Sequence, residues 1–266
     1  MEDIRISGKG TVAGGEYGTI HIDGIATCNG AINVEKIKAD GKLRCTDNVH
    51  AKEVFVDGWA TCEKDIQAEK IKIDGRLQCS GTVTAKELLC DGLTSCEKDV
   101  KADRVQIDGK WKCQGSAEIG QLSCDGMAEV KGSIQAQKVD NDGILKAKNV
   151  EASQVQCDGA IIVEEQVSAD VVEADGFVSA KEVVGDSITI KSKKSRIVWF
   201  FMKADSKIGL VEATTIHLRG VHAGTVNGKD IIIEKGCEIE NLDCSGTLKI
   251  DQRAKVKNIT GEYQKI

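Results

Sequence analysis

Apolar residues along this chain recur in three short alternating runs with a period of about 17 residues. In the stretch from Asp74 to Cys90, with Asp74 as position one, Leu77, Cys79, Val83, Ala85, Leu88 and Cys90 fall at positions four, six, ten, twelve, fifteen and seventeen. Alternation by two is the mark of a strand with one buried face; a helix would bring spacings of three and four over a longer run. Ten Asp-Gly pairs keep the beat, at Asp23, Asp40, Asp57, Asp74, Asp91, Asp108, Asp125, Asp142, Asp158 and Asp175. All the intervals between them are equal except the one from Asp142 to Asp158, which is shorter by a single position. A fixed period this short means that each repeat buries its apolar face only by stacking on its neighbours. The expected fold is all-β: a right-handed parallel β-helix, or solenoid, of about 17 residues and three short strands per turn. Gly at position two is expected to supply backbone freedom for a corner. Ala at position twelve (Ala51, Ala68, Ala85, Ala102, Ala136) suits a narrow interior.

The regular turns are expected over 4–190 and resume over 208–261. Between them 191–207 is read as a basic and aromatic excursion from one continuous domain. Polar positions test the register. Positions thirteen and fourteen read Glu35-Lys36, Lys52-Glu53, Glu69-Lys70, Lys86-Glu87 and Asp103-Arg104, reversing the order of charge at each step. Turns stacked in register about 4.8 Å apart place each acid between bases. A second rhythm, two repeats long, runs through positions three and four. Ile25, Trp59, Leu93 and Met127 carry the bulk at position three, whereas Lys42-Leu43, Arg76-Leu77 and Lys110-Trp111 carry it at position four behind a cation. Ile25, Trp59, Leu93 and Met127 are therefore a candidate lateral stripe, one residue every second turn; partial packing between the flanking basic stems is the plainer reading.

The net charge of −6 gives no electrostatic reason to bind nucleic acid. The start, Met1-Glu2-Asp3-Ile4, lacks a signal-peptide profile, and the longest apolar run, Ile197 to Met202, is too short to span a bilayer, so a cytoplasmic location is expected. Eleven cysteines without a C-x-x-C pair read as reduced thiols. Cys28, Cys45, Cys62, Cys79, Cys96 and Cys113 share position six, and Val130, Ala147, Val163 and Ala180 continue the line, so Cys serves there as a small apolar group. The Asp line raises a calcium reading, but it lacks the glycine-rich nonapeptide of calcium-binding β-rolls; an Asx-turn role at the corners accounts for it better. His21, His50, His217 and His222 sit in no recognisable base or metal pattern, and no P-loop or nucleophile elbow is present. Hexapeptide acyltransferases need a period of six, and the β-helical polysaccharide lyases need long loops that uniform turns do not supply. No enzyme, metal or cofactor is expected.

A β-helix leaves unpaired backbone groups at its two ends, and such edges template pairing with another chain. Ile4 and Ile6 lie near one end, Val256 and Ile259 near the other, as candidate polymer-end contacts. The coil of short strands, with the closing stretches Asp230-Ile-Ile-Ile-Glu-Lys-Gly-Cys-Glu-Ile239 and Gly246-Thr-Leu-Lys-Ile-Asp-Gln-Arg-Ala-Lys-Val-Lys257, resembles the bactofilins, polymer-forming bacterial cytoskeletal proteins. The resemblance implies nucleotide-independent filaments that serve as scaffolds, often at the inner face of the membrane, with further copies of the chain as the main partner. Lys193, Lys194 and Arg196 beside Val198, Trp199, Phe200 and Phe201 are the candidate contact for a membrane surface or another scaffold protein. A non-polymerising adaptor that presents its charged faces to protein partners is the alternative.

Overall fold

In the computed structural model, which describes residues 1–192 and 206–266, the regular elements are all β-strands and their pairings are parallel. The chain forms two compact units, Met1–Ser133 and Ile134–Ile266, a division that falls inside the regular repeats. In the first unit a typical turn joins a short strand, Trp59–Cys62, to a longer one, Ile66–Ile73. The longer strand bends midway. Ile66 and Ala68 are buried, then Ile71 and Ile73, so the alternation skips a position. Glu69, at the skip, is left out of the pairing that runs from Ile66↔Val83 to Ile73↔Cys90. Each turn thus holds three alternating segments, and the parallel β-solenoid of about 17 residues per turn expected from the periodicity is the fold observed.

From Ile25 onward register is strict in this unit; the turns before it carry irregularities between Glu2 and Ile4 and between Ala13 and Gly15. Trp59 pairs with Arg76 and Ile66 with Val83, each with the equivalent residue of the next repeat. The six cysteines at position six, from Cys28 to Cys113, are successive pairing partners. In the buried position-four column, Ala26, Leu43, Ala60, Leu77, Thr94, Trp111 and Ala128 follow one another, large side chains alternating with small. Other buried columns do not alternate: Ile66, Val83 and Val100 stack directly on one another, as do Ile71, Leu88 and Val105. The two-turn rhythm thus belongs to positions three and four of the first unit, where bulk passes from the outer to the inner position at alternate turns.

Two corners hold the turns together differently. At the Asp-Gly corner both amides point to one carbonyl of the preceding turn: Asp57 N and Gly58 N donate to Ala39 O at 3.1 and 2.8 Å. The glycines of this corner do not have positive φ; Gly15, Gly30, Gly220, Gly236 and Gly261 are the ones that do. Close approach, rather than the conformational freedom anticipated from the sequence, is what demands glycine. A Cβ on Gly58 would overlap the carbonyl oxygens of Asp40 and Gly41, and the same clash recurs at Gly24, Gly41, Gly75, Gly92, Gly109 and Gly126. At the second corner, position nine carries a column of polar side chains that accept from the next turn's backbone. Thr82 N donates to Asp65 Oδ1 at 2.7 Å, Ser116 N to Asp99 Oδ1 at 2.8 Å, and Asp65 N to Asn48 Oδ1 at 3.2 Å. These side chains satisfy amides that the bend takes out of the ladder.

The second unit repeats the plan with a looser period. Val150 pairs with Val167 at the full repeat, but Val167 pairs with Val183 and Ile144 with Ala160, a step shorter by a single position. Ile188 pairs with Ile216, Ile216 with Ile231, and Ile231 with Leu248, so the same core column continues on both sides of residues 193–205. Strand Phe177–Lys191 and strand Ser206–Arg219 extend into the two ends of the 191–207 segment. Ser192 N donates to Arg219 O at 2.9 Å, and Val178 N to the buried Ser206 Oγ at 3.0 Å, which ties both departures to the coil.

The steric account of the Asp-Gly corner makes a contrast testable by urea unfolding. Gly58→Ala should cost more than about 2 kcal/mol because backbone of two turns must separate, whereas Gly8→Ala, where an added Cβ meets nothing within 4 Å, should stay within about 0.5 kcal/mol. Equal midpoints for the two variants would contradict it.

Candidate functional site

The two outermost turns present strand edges. Strand Glu2–Ile6 lies on strand Lys9–Ile22, with Ile4 opposite Ile20 and Ile6 opposite Ile22. Among the described residues no strand occupies its other edge. Ile4 and Ile6 are half-buried. In the second unit, strand Lys255–Thr260 pairs with strand Glu238–Cys244, Val256 against Ile239 and Ile259 against Leu242, again with no described strand beyond it. Val256 is half-buried and Ile259 is 39% exposed. Lys255 and Lys257 are tied back to Glu238 and Glu240 at 2.7 and 3.0 Å, which leaves apolar side chains and main-chain groups as the principal features of that edge.

The candidate stripe residues Ile25, Trp59, Leu93 and Met127 each open a strand at every second turn. Ile25, Trp59 and Leu93 are 47%, 42% and 40% exposed, and Met127 is half-buried. Lys42, Arg76 and Lys110 interleave with them as pairing partners. Lys42 Nζ lies 4.9 Å and the Arg76 guanidinium 5.3 Å from the Trp59 ring centroid, so the indole is covered from above and below by cations. The Lys193, Lys194, Arg196, Val198, Trp199, Phe200 and Phe201 cluster lies outside the described residues. Among the described residues no helix is long and apolar enough to cross a membrane.

The alternating charges at positions thirteen and fourteen form ion pairs between turns: Lys36 with Glu53 at 3.2 Å, Lys52 with Glu35 at 2.7 Å, Lys70 with Glu87 at 2.8 Å and Lys86 with Glu69 at 3.4 Å. They are exposed or half-exposed, where such pairs are worth about 0–1 kcal/mol, so they select register more than they stabilise. The Asp-Gly aspartates form a tighter column. Asp40 accepts from His21 and Lys38 at 3.0 and 2.9 Å, Asp74 from Lys72 at 2.9 Å, and Asp108 from Gln106 at 3.1 Å. Hydrogen bonds from His21 and then Lys38 draw the Asp40 carboxyl down to about 2. Burial, and then the neighbouring Asp40, push Asp57 up; Asp74 goes down through its Lys72 hydrogen bond, and Asp91 goes up through burial and then Asp74. From Asp40 to Asp91 the carboxyls of successive turns thus shift in opposite directions, down at Asp40 and Asp74 and up at Asp57 and Asp91. The Asx-like acceptor role expected of this column is carried by position nine at the other corner.

All eleven cysteines are free and buried. Burial pushes the Cys79 and Cys113 thiols up to about 11 and Cys157 to about 12, which suppresses the thiolate needed for metal binding or exchange. Cys79, Cys113 and Cys244 instead point their thiols at backbone carbonyls of the preceding turn, Lys64, Lys98 and Lys229, at 3.4, 3.2 and 3.1 Å.

One cluster escaped the sequence reading. His21 Nε2 stands 3.0 Å from Asp23 Oδ1 and 3.0 Å from Asp40 Oδ2, with Arg5 Nε 2.8 Å from Asp23 Oδ2. Its signal was faint: Arg5, His21 and Lys38 occupy one column beside the Asp line, and only the register brings them to it. His217 and His222, neighbours in sequence, face separate carboxylates, Glu234 at 2.6 Å and Glu238 at 3.9 Å. No protein-family model, curated protein or solved structure matches the chain significantly.

Two measurements follow from this chemistry. A thiol-specific reagent should leave the native protein essentially unlabelled and label all eleven cysteines after denaturation; rapid native labelling of the position-six column would overturn the packing role. Carboxyl-detected NMR titration should place Asp40 at about 2 and Asp57 above an ordinary aspartate. Because the folded Asp40 binds its proton more weakly than the unfolded chain, its stabilising share is present above about pH 4 and is lost as pH falls toward about 2.

Proposed function

We propose that this chain is a non-enzymatic structural protein whose solenoid turns continue from one copy to the next, building a bactofilin-like polymer that serves as a cytoplasmic scaffold. The observation that carries the reading is the pair of strand edges, Glu2–Ile6 in one unit and Lys255–Thr260 in the other, each hydrogen-bonded to a described strand on one side alone. Main-chain donors and acceptors on such edges pair with whatever strand is offered, and a parallel coil offers one of matching spacing. Ile4 and Ile6 on one edge, Val256 and Ile259 on the other, supply apolar columns that an added turn would bury. Assembly without a bound nucleotide is what the resemblance to the bactofilins implies. The lateral stripe of Ile25, Trp59, Leu93 and Met127 is a second surface through which such polymers would bundle or meet scaffold proteins.

Negative-stain electron microscopy and sedimentation velocity at micromolar protein test the reading directly. The wild-type chain should form elongated assemblies without added nucleotide, and Ile4→Asp combined with Ile259→Asp should shift them to small species while circular dichroism stays that of a β-protein. A wild-type chain that sediments strictly as a monomer would exclude polymerisation and leave the adaptor reading.

A further inference from the structure

We infer that His21, Asp23 and Asp40 form a binding site for a first-row divalent transition-metal ion. The three donor atoms, His21 Nε2, Asp23 Oδ1 and Asp40 Oδ2, all lie within 4.8 Å of one another, and the imidazole nitrogen is 3.0 Å from each oxygen. Adjacent donors around an octahedral ion with bonds of about 2.1 Å are separated by about 3.0 Å, so the imidazole already stands at ligand spacing from both carboxylates. The donors belong to two successive turns held in register, with His21 on strand Lys9–Ile22 paired to Lys38 on strand Ile25–Ala39, so the backbone fixes their separation.

The surroundings favour a cation beyond the side chains already there. Asp40 Oδ1 is buried and accepts no hydrogen bond, and the next carboxylate along the column, Asp57, adds a further acid beside it. Arg5 Nε holds Asp23 by Oδ2 at 2.8 Å, which turns Oδ1 toward the imidazole, the arrangement by which outer hydrogen bonds orient ligating carboxylates. The three side chains are 22%, 29% and 31% exposed, leaving room for water to complete the coordination. One imidazole with two carboxylates suits Co, Ni or Zn; Ca and Mg prefer sites made wholly of oxygen. Lys38, at 2.9 Å from Asp40 Oδ2, is the competitor that the ion must outweigh.

The same geometry serves an imidazolium held between two carboxylates, and one substitution separates the two roles. Lys38 follows His21 in its column and Lys72 occupies the equivalent place two turns further on, each bound to an Asp-Gly carboxylate, so His21→Lys keeps a cation between Asp23 and Asp40 while removing the nitrogen ligand. Calorimetric titration of the full chain with CoCl2 should show one equivalent bound, with a raised melting temperature and a weak visible d–d band. His21→Lys and Asp40→Asn should each weaken binding at least about tenfold, and His21→Lys should melt like the wild type in the absence of metal. Absence of binding by the wild type, unchanged binding by His21→Lys, or intense near-ultraviolet thiolate-to-cobalt absorption showing that cysteines take the ion would each overturn the assignment.

Discussion

Parallel hydrogen bonding between successive turns is the constraint from which the other features descend. Once each residue lies over its equivalent in the next repeat, every side chain is a member of a column with a step of about 4.8 Å, and each column must solve the same packing or charge problem again at every turn. In the position-four column Leu43, Leu77 and Trp111 alternate with Ala26, Ala60 and Thr94, whereas Val54, Ile71, Leu88 and Val105 stack one on another. Like charges repel, so acid and base exchange places at positions thirteen and fourteen. A corner whose backbone touches the turn beneath it has no room for a side chain, so glycine returns at each step. The Asp column is where the rule is strained, since carboxylate follows carboxylate, and there His21, Lys38 and Lys72 are drawn in from the adjoining column.

The fold was readable because its period is short and its columns are chemically monotonous. Position six alone, with Cys at six successive turns, fixes which residues stack. What the periodicity does not distinguish is why a residue type recurs. A glycine needed for left-handed backbone and one needed for close approach look alike on paper, and Gly58 is of the second kind. The position-nine side chains that cap the next turn's amide vary among Asn, Asp and Ser, so their shared task is hidden by their diversity. The His21 cluster was unreadable for a different reason. One of its carboxylates, Asp40, is a full repeat and more away along the chain, a spacing that has meaning only after the turns are registered.

The interior and the exterior share the work unequally. Apolar columns of Ile, Val, Leu and Cys are withdrawn almost completely from water, and this burial supplies the cohesion. Surface ion pairs, individually weak, make the correct stacking better than its neighbours. Free thiols fit this division: the sulfur of Cys79 or Cys113 fills space as a small apolar group while its proton bonds to a carbonyl of the turn before, so each satisfies a packing and a polar requirement at once.

In the first unit the alternation of large with small at position four, and of acid with base at positions thirteen and fourteen, has a period of two turns, not one. Removing the single turn that carries Ala60 would set Leu43 against Leu77 and Lys52 against Lys86, whereas removing two adjacent turns keeps both alternations. A stretch of this kind would lengthen or shorten with least disturbance in pairs of coils, so the coil pair, not the coil, is its unit of length.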